Sequence, residues 1–217
     1  MIPVRKYKKK PHVNSAKKYA RDVDSGKILA CKWIKLACKR FLNDLKKEKQ
    51  KSYEFQFHTD RAERFCRFVE MLPHVKGKWS GERLKLEPWQ NFLFANLFGW
   101  EEKKTGLRRF QRAFVLIPRK NGKTTCAAAL GLGMLTIEAE PGAEVFCGAT
   151  SEDQANEVFR PAKAMARKAE VDGQTLRDVF GVEIMSSSIH REEGLSFFRR
   201  LIGKPGEGQS PYCAIHD

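Results

Sequence analysis

Apolar residues recur at helical spacing in two stretches of the first third of the chain. The first stretch begins after Ser25 and runs to about Lys47, and its opposite face is crowded with lysine. The second begins at Thr59, a residue that can cap a helix, and stops at Pro73. We predict an amphipathic helix in each, because a stripe of this period covers one face of a helix. Residues 1–23 are polar, basic and aperiodic, which predicts a mobile segment. The apolar positions are Ile28, Trp33, Ile34, Ala37, Cys38, Phe41, Leu42 and Leu45 in the first stretch, and Ala62, Phe65, Cys66, Val69 and Leu72 in the second.

A more uniformly apolar and aromatic run, Leu86–Phe98, predicts a third helix with Pro88 in its first turn. The connection before it, residues 74–85, contains two glycines and a tryptophan that we expect to be exposed. Gln90 stands near the start of this helix, and its amide carries both the donor and the acceptor that an adenine edge requires. The alternative role for Gln90 is a hydrogen bond at the helix start.

The centre of the sequence has the order strand, loop, helix. The apolar, β-branched run Arg112–Pro118 predicts a buried strand, and the small, alanine-rich run Cys126–Leu135 predicts a helix packed close to a sheet. Between them lies a turn that contains Gly122, Lys123 and Thr124. This order suits a phosphate site, because backbone N–H groups and the helix dipole favour an anion at a helix N-terminus. In such a site Lys123 would reach the β- and γ-phosphates and the Thr124 hydroxyl would hold Mg²⁺.

The turn departs from a standard phosphate loop, which has a glycine five residues before Gly122, where this chain has Ile117. The alternative is an ordinary strand-to-helix turn with a capping threonine and a solvated lysine. Arg119 and Lys120 favour the phosphate site, because cations at a helix N-terminus oppose the dipole unless an anion is bound there.

Downstream patterns predict further strands and one long helix. Glu144–Ala149 indicates a second buried strand, and residues 152–169 indicate a helix with Pro161 inside it. Strands that alternate with helices predict an α/β fold with a parallel sheet flanked by helices, as in P-loop NTPases. Asp217 closes the last apolar run, where a carboxylate would hold Mg²⁺ through its water shell. The remaining predicted elements are short strands at Val182–Met185 and Leu195–Phe198, a glycine-rich loop at Gly203–Gly208, and a third apolar strand at Pro211–Asp217.

The charge is unevenly distributed along the chain. Residues 1–51 hold 17 Lys and Arg against 4 Asp and Glu, whereas the rest holds 24 against 22. We therefore predict a basic N-terminal segment, residues 1–51, joined to a nearly neutral domain, residues 52–217. This favours nucleic-acid contact by the segment, and the alternative is a solvated helix face with a disordered tail.

The six cysteines form no Cys-x-x-Cys pair, which argues against a zinc knuckle and a disulfide framework and favours a reducing cytoplasm. No run approaches the length of about 20 apolar residues that a membrane helix requires.

With these residues placed, the chain resembles the large terminase subunit of tailed double-stranded DNA bacteriophages. The resemblance covers about residues 55–217 and rests on four motifs in order: Leu86–Gln90, Ile117–Thr124, Gly148–Ala155 and Tyr212–Asp217. It implies a motor that hydrolyses ATP to drive DNA into a procapsid. Such a motor works in the host cytoplasm as a ring, beside a small terminase subunit and the portal protein, and is not a stable component of the virion.

The resemblance also implies roles for individual residues. Gln90 would contact adenine, Thr124 and Asp217 would hold Mg²⁺, and Thr150–Gln154 would relay the nucleotide state to DNA. An arginine finger is also needed, for which Arg199 and Arg200 are candidates, with Arg160 behind them. The implied ATP-binding residues are Gln90, Arg119, Lys120, Asn121, Gly122, Lys123, Thr124 and Thr125, and the implied catalytic residues are Lys123, Asp217, Arg199 and Arg200.

The family pattern continues with a catalytic glutamate directly after the Walker B aspartate, and the sequence given ends at Asp217. A C-terminal nuclease domain follows in the family. The expectation for this polypeptide alone is ATP binding with negligible hydrolysis and no DNA cleavage, because a positioned base contributes about 10²- to 10⁴-fold in rate. Two other functions remain open: a different P-loop nucleic-acid translocase, such as a helicase half, and a non-enzymatic DNA-binding remnant.

Overall fold

The computed structural model describes residues 6–138, 143–171, 174–175 and 197–202. The chain divides into two compact units. The helical unit comprises Pro3–Glu70 and Lys85–Leu116, and the loop unit comprises Met71–Leu84 together with the described residues from Ile117 onward.

Four helices and one small sheet make up the helical unit. Strands β1 and β2 pair antiparallel, with Phe57 opposite Trp100. Helix α1 packs against both α2 and α4. The elements are α1 (Pro11–Asp24), α2 (Lys32–Lys47), β1 (Phe55–Phe57), α3 (Thr59–Met71), α4 (Pro88–Gly99) and β2 (Trp100–Glu102).

Helix α1 contradicts the prediction of a mobile, aperiodic segment over residues 1–23. Its buried residues are Val13, Ala16, Ala20 and Val23, and each is at most 1% exposed. Their spacing of three, four and three residues places them on one helix face. The stripe was missed because two alanines among lysines carry a weak hydrophobic signal, whereas their small size lets α1 approach its neighbours closely.

The next helices follow the predicted stripes with one change of boundary. Helix α2 begins at Lys32 rather than near Ser25, because the chain turns between α1 and α2 through Gly26, which has a φ of 80°. Helix α3 begins at Thr59 and α4 begins at Pro88, which confirms both predicted starts. The exposed Trp79 of the connection is also confirmed.

Phe41 of α2 centres the aromatic core of the helical unit. Its ring lies 5.5 Å from the rings of both Phe57 and Phe92, and 6.2 Å from the ring of Trp100, in edge-to-face contacts. Such contacts are favourable because the positive ring edge meets the negative ring face. The predicted apolar stripe of α2 therefore docks inside the helical unit from Ala37 onward, whereas the prediction is wrong for Trp33 and Ile34, which are exposed.

Arg109 closes one side of this core. Its guanidinium donates to Asp44 Oδ2 at 2.7 Å and to the Tyr53 hydroxyl at 3.0 Å. The same group lies 4.4 Å from the centre of the Phe55 ring. Burial and the hydrogen bond with Asp44 raise the pKa of Tyr53. Asp44 is buried, and Arg109 supplies the ion-pair partner that a buried carboxylate requires.

Polar contacts fasten the start of α1 to α3. The His12 ring places Nδ1 2.8 Å from Glu63 Oε1 and Nε2 2.9 Å from Glu70 Oε2. Lys10 Nζ lies 2.9 Å from Asp60 Oδ2, and the Tyr7 N–H donates to the other Asp60 oxygen. Burial acts to raise the pKa of Asp60, but these hydrogen bonds lower it overall.

The loop unit contains two helices and two strand pairs. Helix α5 packs on α6, and both helices contact β3. Strand β3 pairs antiparallel with β6, and β4 pairs antiparallel with β5. The elements are α5 (Lys123–Thr136), β3 (Glu144–Ala149), α6 (Glu152–Lys168), β4 (Glu170–Val171), β5 (Gln174–Thr175) and β6 (Phe197–Ile202).

The predicted parallel sheet is wrong for the described residues, whose strand pairs are all antiparallel. The helix-rich α/β character is confirmed. The run Arg112–Pro118 is not a buried strand: Phe114 is 90% exposed and Leu116 is 82% exposed. An extended run becomes a strand only where a neighbour supplies hydrogen-bond partners, and no described strand pairs with this one.

The predictions for the residues after α5 are confirmed only in part. The bounds of β3 are confirmed, but its residues alternate between exposed and half-buried, with Phe146 52% exposed, because β3 packs on helices from one face only. Helix α6 is confirmed with Pro161 inside it. The predicted strand at Leu195–Phe198 overlaps the start of β6. The predictions for Val182–Met185, Gly203–Gly208 and Pro211–Asp217 lie outside the described residues.

The five cysteines in the described part of the chain are free thiols. Burial raises the pKa of Cys38 to about 12, which keeps this thiol protonated and unreactive at neutral pH.

Among the described helices, none is long and apolar enough to cross a bilayer.

Candidate phosphate-binding site

The loop before α5 takes a backbone shape that suits close approach of a ligand. Gly122 occupies the N-cap position in the left-handed region, with φ 72° and ψ 15°. Lys120 also has a positive φ of 66°, which is uncommon for a residue with a side chain. Gly122 directly before Lys123 is part of the sequence motif, whereas nothing in the sequence indicates the positive φ of Lys120.

The N-terminus of α5 lacks the side chains that usually accept hydrogen bonds from the first backbone N–H groups of a helix. No described side chain caps it, and its first turn contains no acidic residue. The first N–H groups of a helix have no intrahelical acceptor, and the helix dipole places partial positive charge there. The backbone N–H groups of Lys123, Thr124 and Thr125 therefore lie in a turn that favours an anion.

Two side chains hold the loop in this shape. Asn121 Nδ2 donates to the carbonyl oxygens of Pro118 at 3.3 Å and Arg119 at 3.1 Å. Lys123 Nζ donates to the carbonyl of Ile117 at 3.3 Å, a long contact that keeps the ammonium beside the loop. The role of Asn121 within the loop was not predicted, although asparagine commonly makes such local bonds.

The solvent exposure of these residues suits a ligand that arrives from outside. Arg119, Lys120 and Lys123 are exposed, whereas Thr124 and Thr125 are half-buried at the start of the helix. Three cationic residues thus lie within a few positions of one helix N-terminus along the chain. These cations repel one another and the positive end of the helix dipole. A bound polyanion such as a triphosphate relieves this repulsion.

The N-terminus of α6, in contrast, has a side-chain cap and acidic residues. The Ser151 hydroxyl accepts a hydrogen bond from the Gln154 N–H, and Glu152 and Asp153 occupy the first turn. The Thr150 hydroxyl lies 2.7 Å from Gln154 Oε1. These groups satisfy the α6 terminus and make it negative, so of these two helix starts only that of α5 suits phosphate.

Other residues singled out from the sequence belong to other elements of the chain or lie beyond the described residues. Gln90 belongs to the helical unit, where its Oε1 accepts from the Glu87 N–H at 2.9 Å in a capping box. The backbones of Arg199 and Arg200 lie in β6, opposite Cys147 and Phe146. Arg160 is an exposed residue of α6. Asp217 lies outside the described residues.

Comparison with known proteins gives one family. The family model described as "Terminase large subunit, ATPase domain" matches residues 88–191. This match includes α4, the loop 119–125 and helices α5 and α6. No curated protein and no solved structure matches the chain. Residues 88–191 are therefore similar to the ATPase domain of terminase large subunits.

Proposed function

We propose that this chain binds Mg-ATP at Arg119–Thr125 and serves as the ATPase part of a phage DNA-packaging motor. The observation that carries the proposal is the uncapped N-terminus of α5, which begins at Lys123 and directly follows a loop containing Arg119 and Lys120. The similarity of residues 88–191 to terminase ATPase domains supports an ATPase chemistry, which this anion site fits. Within the described ranges no cluster of His, Cys, Asp and Glu forms an alternative metal site.

Each loop residue has a proposed task. Arg119 and Lys123 pair with phosphate oxygens, and Gly122 brings the backbone close to them, because it has no side chain. The Thr124 hydroxyl is an oxygen ligand of the kind that Mg²⁺ prefers. Asn121 keeps the loop in shape, while Lys120 and Thr125 complete the anion-binding turn.

Further assignments remain part of this proposal. Asp217 would hold Mg²⁺, and Arg199 or Arg200, with Arg160 behind them, would supply the arginine finger. Gln90 would contact adenine by exchanging its bond to the Glu87 N–H for bonds to the base. The proposed partners are double-stranded DNA, the portal protein, the small terminase subunit and further copies of the chain in a ring, all within the host cytoplasm.

The role of Thr124 is testable through the magnesium dependence of ATP binding. We expect Thr124→Ala to weaken binding of a fluorescent ATP analogue by about tenfold with Mg²⁺ and to change it little with EDTA, because the hydroxyl acts through the metal. Thr124→Ser keeps the hydroxyl and is the matched control. Equal losses with and without Mg²⁺ would place Thr124 elsewhere in the site, and no binding by the unaltered chain would favour a DNA-binding remnant.

DNA contact by the basic segment is testable through the salt dependence of affinity. Lys46, Lys47, Lys49 and Lys51 are exposed at the end of α2. Each lysine that contacts a phosphate contributes about 0.9 to the slope of log affinity against log salt. We expect the fourfold Lys→Gln variant to flatten that slope on duplex DNA, and Lys76→Gln with Lys78→Gln to leave it unchanged. An unaltered slope in the fourfold variant would move the DNA site elsewhere.

A further inference from the structure

The start of α2 and the turn before it expose apolar side chains to solvent. Trp33 is 73% exposed, Leu36 is 49% exposed and Leu29, in the preceding turn, is 96% exposed. Trp33 and Leu36 are three residues apart on one helix, so their side chains are neighbours. We call Trp33 and Leu36 the apolar patch. A group of large exposed apolar side chains marks an interaction surface more often than chance exposure does.

Beside the apolar patch lies a shallow groove of about 400 Å³. Leu36 and Val23 supply its apolar lining, Lys32, Lys35 and Lys39 supply its cations, and Asp24 also lines it. From Ser25 to Arg40 the sequence has five basic residues and no acidic one. The groove therefore combines an apolar lining with a strongly positive rim.

The positive charge and the apolar patch belong to one surface. Lys32 Nζ lies 5.7 Å from the centre of the Trp33 ring, so a cation stands directly beside the most exposed aromatic ring of α2. Lys35 precedes Leu36 and faces the same groove. A partner that covers the apolar patch must therefore bring negative charge to these lysines.

We infer that this surface binds an acidic, amphipathic segment of a partner protein, with apolar side chains over Trp33 and Leu36 and carboxylates near Lys32, Lys35 and Lys39. Helices with one apolar face bind grooves in this manner, and tryptophan is enriched where such contacts are strongest. Duplex DNA fits less well, because its phosphates pair with lysines but leave Trp33 and Leu36 in water. The inference is independent of nucleotide binding by the loop unit.

The test uses the full chain and a labelled helical peptide of about four turns, with leucines on one face and glutamates beside them. We expect saturable binding that weakens about tenfold in Trp33→Ala with Leu36→Ala, and about tenfold in Lys32→Gln with Lys35→Gln. Lys76→Gln with Lys78→Gln, which removes two exposed charges from the connection before α4, should change affinity less than about twofold. A peptide with glutamine in place of every glutamate should bind about tenfold more weakly.

Three results would overturn the inference. The first is no saturable binding of the acidic peptide up to about 0.1 mM. The second is equal binding by the Trp33→Ala, Leu36→Ala variant, whose circular dichroism should match the unaltered chain because both side chains are exposed. The third is loss of duplex DNA or anionic vesicle binding in that variant without loss of peptide binding, which would assign the surface to nucleic acid or lipid.

Discussion

Replacing Lys123 by alanine is expected to weaken binding of Mg-ATP by about 10- to 100-fold. The ammonium lies beside the loop, where its present partner is the Ile117 carbonyl at 3.3 Å. A charge-assisted contact to phosphate is worth about 1.5–3 kcal/mol, which corresponds to this range of affinity. The fold should be unaffected, because Lys123 is exposed and makes no buried contact. Titration of a fluorescent ATP analogue in excess Mg²⁺ measures the effect.

Lys120→Ala provides a matched comparison, since it removes the same charge three residues earlier. Lys120 has a positive φ that alanine tolerates poorly, so Lys120→Gly separates the loss of charge from backbone strain. We expect both Lys120 variants to lose less affinity than Lys123→Ala. If all three variants bound Mg-ATP as tightly as the unaltered chain, the triphosphate would not lie on this loop.

Replacing Arg109 by alanine is expected to lower the free energy of unfolding of the helical unit by about 3 kcal/mol. The change leaves the buried Asp44 carboxylate without its 2.7 Å partner, and loss of one partner of a buried ion pair costs about 3–5 kcal/mol. It also removes the guanidinium from the face of Phe55. Urea unfolding followed by circular dichroism measures the loss.

Arg109→Lys keeps the charge but loses the planar stack on Phe55, so an intermediate loss is expected. Lys18→Ala is the control, because its ion pair with Asp22 is exposed, and we expect it to leave the unfolding midpoint almost unchanged. Equal midpoints for Arg109→Ala and Lys18→Ala would contradict the role given to Arg109 in closing the core.

The helices could largely be predicted from the sequence, because their signals are local. The stripe from Ala62 to Val69 places α3, and Pro88 marks the start of α4. Helix α1 was not predicted, because Ala16 and Ala20 bury little area yet allow close packing. Its burial depends on neighbours that the local pattern does not reveal.

The strands were harder to predict, because strand pairing is set by distant residues. Glu144–Ala149 was correctly bounded, yet its antiparallel partner β6 begins nearly fifty residues later. Arg112–Pro118 has the composition of a strand but no described partner, so Phe114 is exposed. The candidate site was more accessible to sequence reasoning, because Gly122, Lys123 and Thr124 are consecutive and the helix start is a local feature.

We propose above all that a triphosphate binds at the N-terminus of α5. The most direct test is to record backbone amide chemical shifts of the isotope-labelled chain while Mg-ATP is added. We predict that the largest changes occur at Gly122, Lys123, Thr124 and Thr125, and that the capped start of α6 at Ser151–Gln154 changes much less. Saturable binding whose largest changes fall elsewhere, or amides of Gly122–Thr125 that do not respond, would contradict the claim.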